Sequence, residues 1–255
     1  MSDVVIVASA FGADAIRRDG HRAWLKTAAQ AGAAGFEVRR ELFASEAQAD
    51  PGALSSLGEA VEGLGMWSVY STPATLYNAA GALDEATLRL AVEEADALGA
   101  RFVKLQLGGF GADAALGAQI AACMRGARAR LVVENGQLTE GGMIRQFVRL
   151  FDGLRHEGYL DVLGMTFDLG NWQWPGESPA EAAQQLAQHV EYIHCKAVTG
   201  IGARRFAVAP AADDPVCAAV LRLLPRNVPR GIEFPFDPDR VAADASNYVR
   251  WLDGA

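Results

Sequence analysis

Cysteine and histidine are scarce in this chain of 255 residues, with three of the first and four of the second. Cys123, Cys195 and Cys217 lie far apart without any CxxC spacing. That excludes a disulfide framework and a thiolate zinc site and leaves them as small buried hydrophobes. Long apolar runs are missing too: none approaches the roughly 18 residues needed to span a bilayer. Met1-Ser2-Asp3 leads straight into an apolar stretch with no basic segment before it, so the sequence predicts a cytoplasmic protein with no membrane partner. Basic charge is in deficit, with 23 Lys and Arg against 31 Asp and Glu and a net charge of −8. This disfavours nucleic acid, whose phosphates call for a basic surface, and favours a small molecule as partner. The first apolar run carries no GxGxxG turn, and the cluster Gly108-Gly109-Phe110-Gly111 lacks that spacing. Because no stretch rich in proline, glycine or serine divides the chain, residues 1–255 read as one domain.

What the sequence has is alternation. Apolar, strand-like runs occur at 4–11, 35–43, 66–73, 102–108, 131–134, 165–168, 192–196 and 231–236. Helical spacing is expected at about 21–34, 53–64, 84–98, 113–129, 142–156, 179–189, 214–224 and 238–252. Gly65 and Gly99 follow two of these segments, as a left-handed C-terminal cap prefers. Eight strands alternating with eight helices through short loops imply parallel strands and right-handed crossovers, which close into a single (β/α)8 TIM barrel of the α/β class.

Four of the later runs each end in one side chain able to bind a metal: Val133-Glu134, Phe167-Asp168, Ile193-His194 and Ile232-Glu233. Within each pair the apolar residue faces one side of the sheet and the charged residue the other. Three buried carboxylates and an imidazole at one end of neighbouring strands need a compensating charge. A divalent cation would supply it, and these oxygen and nitrogen donors suit Mn²⁺, Mg²⁺ or Co²⁺, with Zn²⁺ an alternative. Lys196 has the parity of His194 and is expected in the mouth as a substrate contact. Glu37, Lys104 and Gln106 also have inward parity. Arg204 and Arg205, after the seventh strand, would bind an anionic group, and Trp172 and Trp174 would wall the pocket while Phe234 joins the core. His21, His156 and His189 fall in helical stretches and are expected at the surface.

The ordered series Glu134-Asn135, Asp168-x-Gly170-Asn171-Trp172, His194-x-Lys196 and Glu233, with Gly35-Phe36-Glu37 near the start, resembles the xylose-isomerase-like TIM-barrel sugar isomerases and epimerases. That family includes ketose 3-epimerases and hydroxypyruvate isomerases. The resemblance covers essentially the whole chain. It implies that Glu134, Asp168, His194 and Glu233 bind one divalent cation and that Glu134 and Glu233 act as acid and base; Asn171, Trp172, Lys196, Arg205, Glu37 and Gln106 are the expected contacts to a carbohydrate substrate. By analogy it also implies a homo-oligomer. Ketose 3-epimerases commonly carry histidine where this chain has Asn171, and many relatives carry aspartate where it has Ala197, so the substrate stays open.

The expected activity is an isomerisation or epimerisation of a sugar or keto-sugar, acidic and phosphorylated ones included, through an enediolate. Two alternatives stand beside it: a lyase that dehydrates a keto-inositol or dehydroshikimate-like substrate on the same scaffold, and a ligand-binding barrel without catalysis. A nuclease of the endonuclease IV type shares the fold, but its three zinc ions need many more histidines.

Overall fold

The protein was analysed as a computed structural model that describes residues 2–111, 114–201, 204–211 and 214–254. Eight parallel strands close into a barrel: β1 (Val4–Val7), β2 (Gly35–Arg39), β3 (Trp67–Tyr77), β4 (Phe102–Gly108), β5 (Arg130–Glu134), β6 (Gly164–Asp168), β7 (Val190–Cys195) and β10 (Arg230–Ile232). Their order around the ring follows the chain, with β10 closing onto β1. The outer shell comprises α2 (Arg22–Gln30), α3 (Pro51–Glu62), α4 (Glu85–Leu98), α5 (Gly117–Cys123), α6 (Ile144–Glu157), α7 (Pro179–Leu186), α8 (Pro215–Leu223) and α9 (Val241–Asp253). The expected TIM barrel is thus the observed fold.

Two elements depart from the sequence reading. A short helix α1 (Ala13–Asp19) precedes α2, and an antiparallel hairpin, β8 (Ala197–Ile201) and β9 (Arg204–Val208), fills the connection after β7. Residues 204–208 are exposed or half-buried and do not alternate polar with apolar, so they carry no core signal of their own. The helix expected from Asp113 begins in the described residues at Gly117, Asp113 itself lying outside them. It stops at Cys123, shortly before Gly126, whose φ of 85° suits glycine.

Strand parity explains what the barrel encloses. Residues with one parity, such as Ile6, Phe36, Val103, Leu131, Val133, Phe167, Ile193 and Ile232, pack outward against the helices in one large core. Residues with the other parity point inward. Val5, Val69, Phe102, Val132 and Tyr192 form a separate apolar cluster inside the barrel, with Trp67 against it. Two residues further along β4, β5 and β7, toward the C-terminal end of the strands, the inward positions change character to Lys104, Glu134 and His194, with Glu37 likewise inward on β2. An apolar floor therefore lies directly beneath a charged chamber, the arrangement that places chemistry at the C-terminal mouth.

Candidate metal centre at the barrel mouth

Glu134 and Asp168 are the last residues of β5 and β6, His194 lies near the end of β7, and Glu233 follows β10. These strands are consecutive around the ring, and Asp168 is in register with His194. The Glu233 N–H donates to the Cys195 carbonyl at 3.2 Å and the Leu169 N–H to the His194 carbonyl at 3.0 Å, pinning the strand ends together. Gly231, opposite His194, makes room for the imidazole: a Cβ there would lie 2.9 Å from His194 Cδ2 and 2.5 Å from the Tyr192 hydroxyl. One donor atom from each of Glu134, Asp168, His194 and Glu233 lies within 4.8 Å of the others.

Each of the four is held from behind. The Lys104 ammonium and the Gln106 amide donate to Glu134 Oε2 at 2.7 and 2.6 Å. Asp168 Oδ1 accepts from the Gly170 and Asn171 N–H groups, both at 2.8 Å. Arg39 holds Glu233 Oε1 at 2.5 Å. His194 Nε2 lies 2.8 Å from Glu37 Oε2, which also accepts from the Tyr192 hydroxyl at 2.9 Å. A proton on Nε2, donated to Glu37, leaves the Nδ1 lone pair facing the cluster.

The inward atoms are crowded but poorly satisfied. Glu134 Oε1 sits 2.8 Å and Glu233 Oε2 3.1 Å from His194 Nδ1, while Asp168 Oδ2 sits 3.7 Å away. Glu134 Oε1 and Asp168 Oδ2 are buried without an aligned hydrogen-bond partner, although cationic nitrogens lie near both. Buried orphan oxygens are costly. Two such oxygens beside a third carboxylate and an imidazole nitrogen form a donor set that fits a divalent cation.

Charge sets the protonation states. Burial opposes ionisation of Glu134, yet Lys104 and then His194 hold it down to about 2. Burial also opposes ionisation of Glu233, and Lys196, His194 and Arg39 still hold it well below the usual carboxylate range. At Asp168 burial prevails over Lys196, and its carboxyl is raised. Burial disfavours the imidazolium of His194, but Glu37, Glu233 and Glu134 raise it well above its ordinary value. A proton would therefore compete with any metal ion for Nδ1.

Seven of the ten expected site residues meet here: Glu134, Asp168, His194, Glu233, Lys196, Glu37 and Gln106. The side chains of the other three point elsewhere. Trp172 is not a pocket wall; the 3-10 turn Asn171–Gln173 swings its indole into the shell, where it is fully buried against Phe147 and Phe167. Asn171 joins the loops after β5 and β6, donating to the Asn135 carbonyl at 2.8 Å and accepting from Gln137 at 3.2 Å. Arg205 donates to the carbonyls of Gln173 and Trp174, fastening the hairpin to the loop after β6. Arg204 is exposed, and Phe234 is core as expected.

Arg39, on the charged face of the second strand that inside a barrel lines a polar pocket, joins the site although it was not among the expected contacts. It lies two residues after Glu37 and so shares its inward parity, and it also pairs with Glu41 at 2.6 Å. Behind it, His21 corrects the expectation of a surface residue: it is 3% exposed, packs edge-on against Phe43, and its Nε2 accepts the Arg39 N–H at 3.2 Å. Burial pushes the His21 imidazole from 6.5 down to about 4. Because the unfolded chain takes up a proton below pH 6.5 and the folded one does not, the stability from the neutral ring is present above pH 6.5. It is lost as the pH falls toward 4, by about 3 kcal/mol in all. Urea unfolding at about pH 7 and about pH 4.5 should therefore cost wild type more stability than His21→Gln, whose amide does not titrate.

The fold is that of the xylose isomerase-like TIM barrels. No family model and no curated protein matches the chain. Among solved structures, a D-allulose 3-epimerase from Methylomonas sp. superposes with a TM-score of 0.65 at 14% identity, covering 98% of each chain. The IolI protein with a bound zinc atom gives 0.67 at 12% identity, over 99% of this chain and 95% of that one. A probable 3-DHS dehydratase from Bacillus anthracis gives 0.65 at 11% identity, over 96% and 98%. At such identities the likeness establishes the fold alone.

Proposed function

We propose that the protein is a divalent-metal-dependent isomerase or epimerase of a sugar or keto-sugar, acting through an enediolate with Glu134 and Glu233 as acid and base. The observation that carries this reading is the set of four donors whose outer atoms are fixed by Lys104, Gln106, Gly170, Asn171, Arg39 and Glu37, while their inner atoms converge. Epimerase and zinc-binding neighbours on the same fold agree with it. Manganese is the cation we propose, and Glu134, Asp168, His194 and Glu233 would hold it. Such a cation supplies charge stabilisation to the oxygens of an enediolate.

The protein's own groups account for the proton. Glu134 and Glu233 flank His194 Nδ1 from the ends of β5 and β10, so a substrate between them has a carboxylate on either side. One carboxylate takes the proton beside the carbonyl and the other returns one to the opposite face, as inversion requires. Arg39, at the exposed edge of the cluster, orients Glu233 through its outer oxygen. The apolar floor keeps bulk water out from below. Lys196 offers an ammonium to a substrate oxygen.

That same ammonium gives a second reading specific support. Beside an enediolate it is placed to protonate a departing β-hydroxyl, which would make the reaction a dehydration, and a dehydratase is among the fold's neighbours. Mass separates the two: a product isobaric with substrate means isomerisation, and loss of water means the lyase.

The metal site has its own test. Calorimetric titration of chelator-stripped protein with Mn²⁺ should give one site per chain, and Glu134→Gln, Asp168→Asn, His194→Ala and Glu233→Gln should each weaken it, while His189→Ala should not. His189 stacks on Phe151, away from the cluster. Full affinity in all four variants would remove the assignment.

A further inference from the structure

We infer that Lys196 is an internal counter-cation that a divalent metal must displace, so that this lysine sets how tightly and how fast the barrel takes up its metal. The inference rests on the metal site proposed above. It comes from a difference among the cations of the mouth. Lys104 contacts Glu134 through Oε2 and Arg39 contacts Glu233 through Oε1, the oxygens turned away from His194 Nδ1. These two cations leave the inner atoms free.

Lys196 does the opposite. Its Nζ lies 2.7 Å from Glu233 Oε2, as a hydrogen bond, and 2.7 Å from Asp168 Oδ2, without hydrogen-bond alignment. Both are inner oxygens of the converging set. Two anionic oxygens that neutralise an ammonium at contact distance are partly spent for a divalent ion, and a fixed positive charge so close repels a second one. Metal entry therefore requires the ammonium to move.

The surroundings leave the lysine somewhere to go. Its stem lies over Gly170, where a Cβ would meet Lys196 Cγ at 2.8 Å and Cε at 3.1 Å, so the resting position depends on a missing side chain. On its other side Lys196 lines a cavity of about 320 Å³ together with Leu169, Val198, Val220 and Asp214. The apolar walls suit the four-carbon stem, and Asp214, whose Oδ1 accepts the Val216 and Cys217 N–H groups, brings a negative charge to the lining. An arm swung off the two oxygens, toward that cavity or toward a substrate oxygen, frees both.

In the metal-free state the same ammonium neutralises carboxylates that would otherwise repel one another in a buried site, so it stabilises the empty barrel at the expense of metal affinity. The consequence is a site that folds before it is loaded and exchanges its metal readily.

Mn²⁺ titration of wild type, Lys196→Met and Lys196→Arg decides the matter. Removing the charge should tighten Mn²⁺ binding by at least about tenfold, while the arginine variant, which keeps the charge, stays near wild type. Lys196→Met should also melt lower than wild type without metal and gain more on adding Mn²⁺. If the methionine variant folds only with metal present, its Mn²⁺ release into excess chelator should be slower than that of wild type by about the same factor. Equal or weaker affinity, or equal or faster release, in Lys196→Met overturns the inference while leaving the metal site standing. Absence of Mn²⁺ binding in wild type instead overturns the site on which it rests.

Discussion

With a ketose substrate in heavy water at saturating Mn²⁺, Glu134→Gln and Glu233→Gln are each expected to lower formation of the epimer by about a hundred- to ten-thousand-fold, the usual worth of a positioned acid or base. Glutamine keeps the shape of each side chain and an oxygen for the donors behind it: Lys104 and Gln106 at position 134, Arg39 at position 233. What it loses is the capacity to take a proton. Saturating metal separates that loss from weakened binding, because both residues belong to the donor set. The isotope pattern then distinguishes the reactions. In an epimerase that uses one glutamate for each face, a single variant still exchanges the proton on the face of the remaining glutamate and returns substrate, deuterated but uninverted. In an aldose–ketose isomerase a single base suffices, and one of the two variants keeps most of its turnover. Unaltered turnover in both variants would remove the two glutamates from the chemistry.

Lys104→Met is expected to destabilise the protein by about 3–5 kcal/mol, the cost of removing one partner from a buried ion pair. Lys104 is 1% exposed, and its ammonium lies 2.7 Å from Glu134 and 3.4 Å from Glu37, both buried. Methionine has nearly the same length and leaves no cavity, so the loss is electrostatic. Two carboxylates near the floor of the barrel would then face each other with less compensation, and Glu37 would pull harder on the proton of His194 Nε2. Because part of the cost is charge in the donor set, Mn²⁺ should recover more of the melting temperature in this variant than in wild type. A melting temperature unchanged by the substitution would mean that the chamber is more hydrated than its burial implies.

The fold was legible in the sequence because a barrel repeats one instruction. Apolar runs of β-branched and aromatic residues, each followed by a helix of amphipathic spacing, permit few closures, and every barrel strand fell within two residues of an expected run at its start. The donors were legible for a related reason: period two puts Glu134, Asp168, His194 and Glu233 on the face opposite Val133, Phe167, Ile193 and Ile232, and the floor below them is apolar. Arg39 had the same parity but sits among Glu37, Arg40 and Glu41, a run that reads equally as a solvated edge. Its partner Glu233 is 194 positions away, a pairing invisible to local pattern. His21 was misplaced because spacing marks the face of a helix, not the chain that crosses its first turn; here Phe36 and Phe43 cover the ring. Trp172 was misplaced because the turn after Asp168 is helical rather than extended, so strand parity does not carry past the end of the strand.

The layer of Val5, Val69, Phe102, Val132 and Tyr192 beneath the chamber has a kinetic meaning. Among the described residues it closes the chamber from below and leaves the C-terminal mouth as the way in. Under the proposed reaction, reactant and product would share that mouth, so each would compete with the other for the chamber.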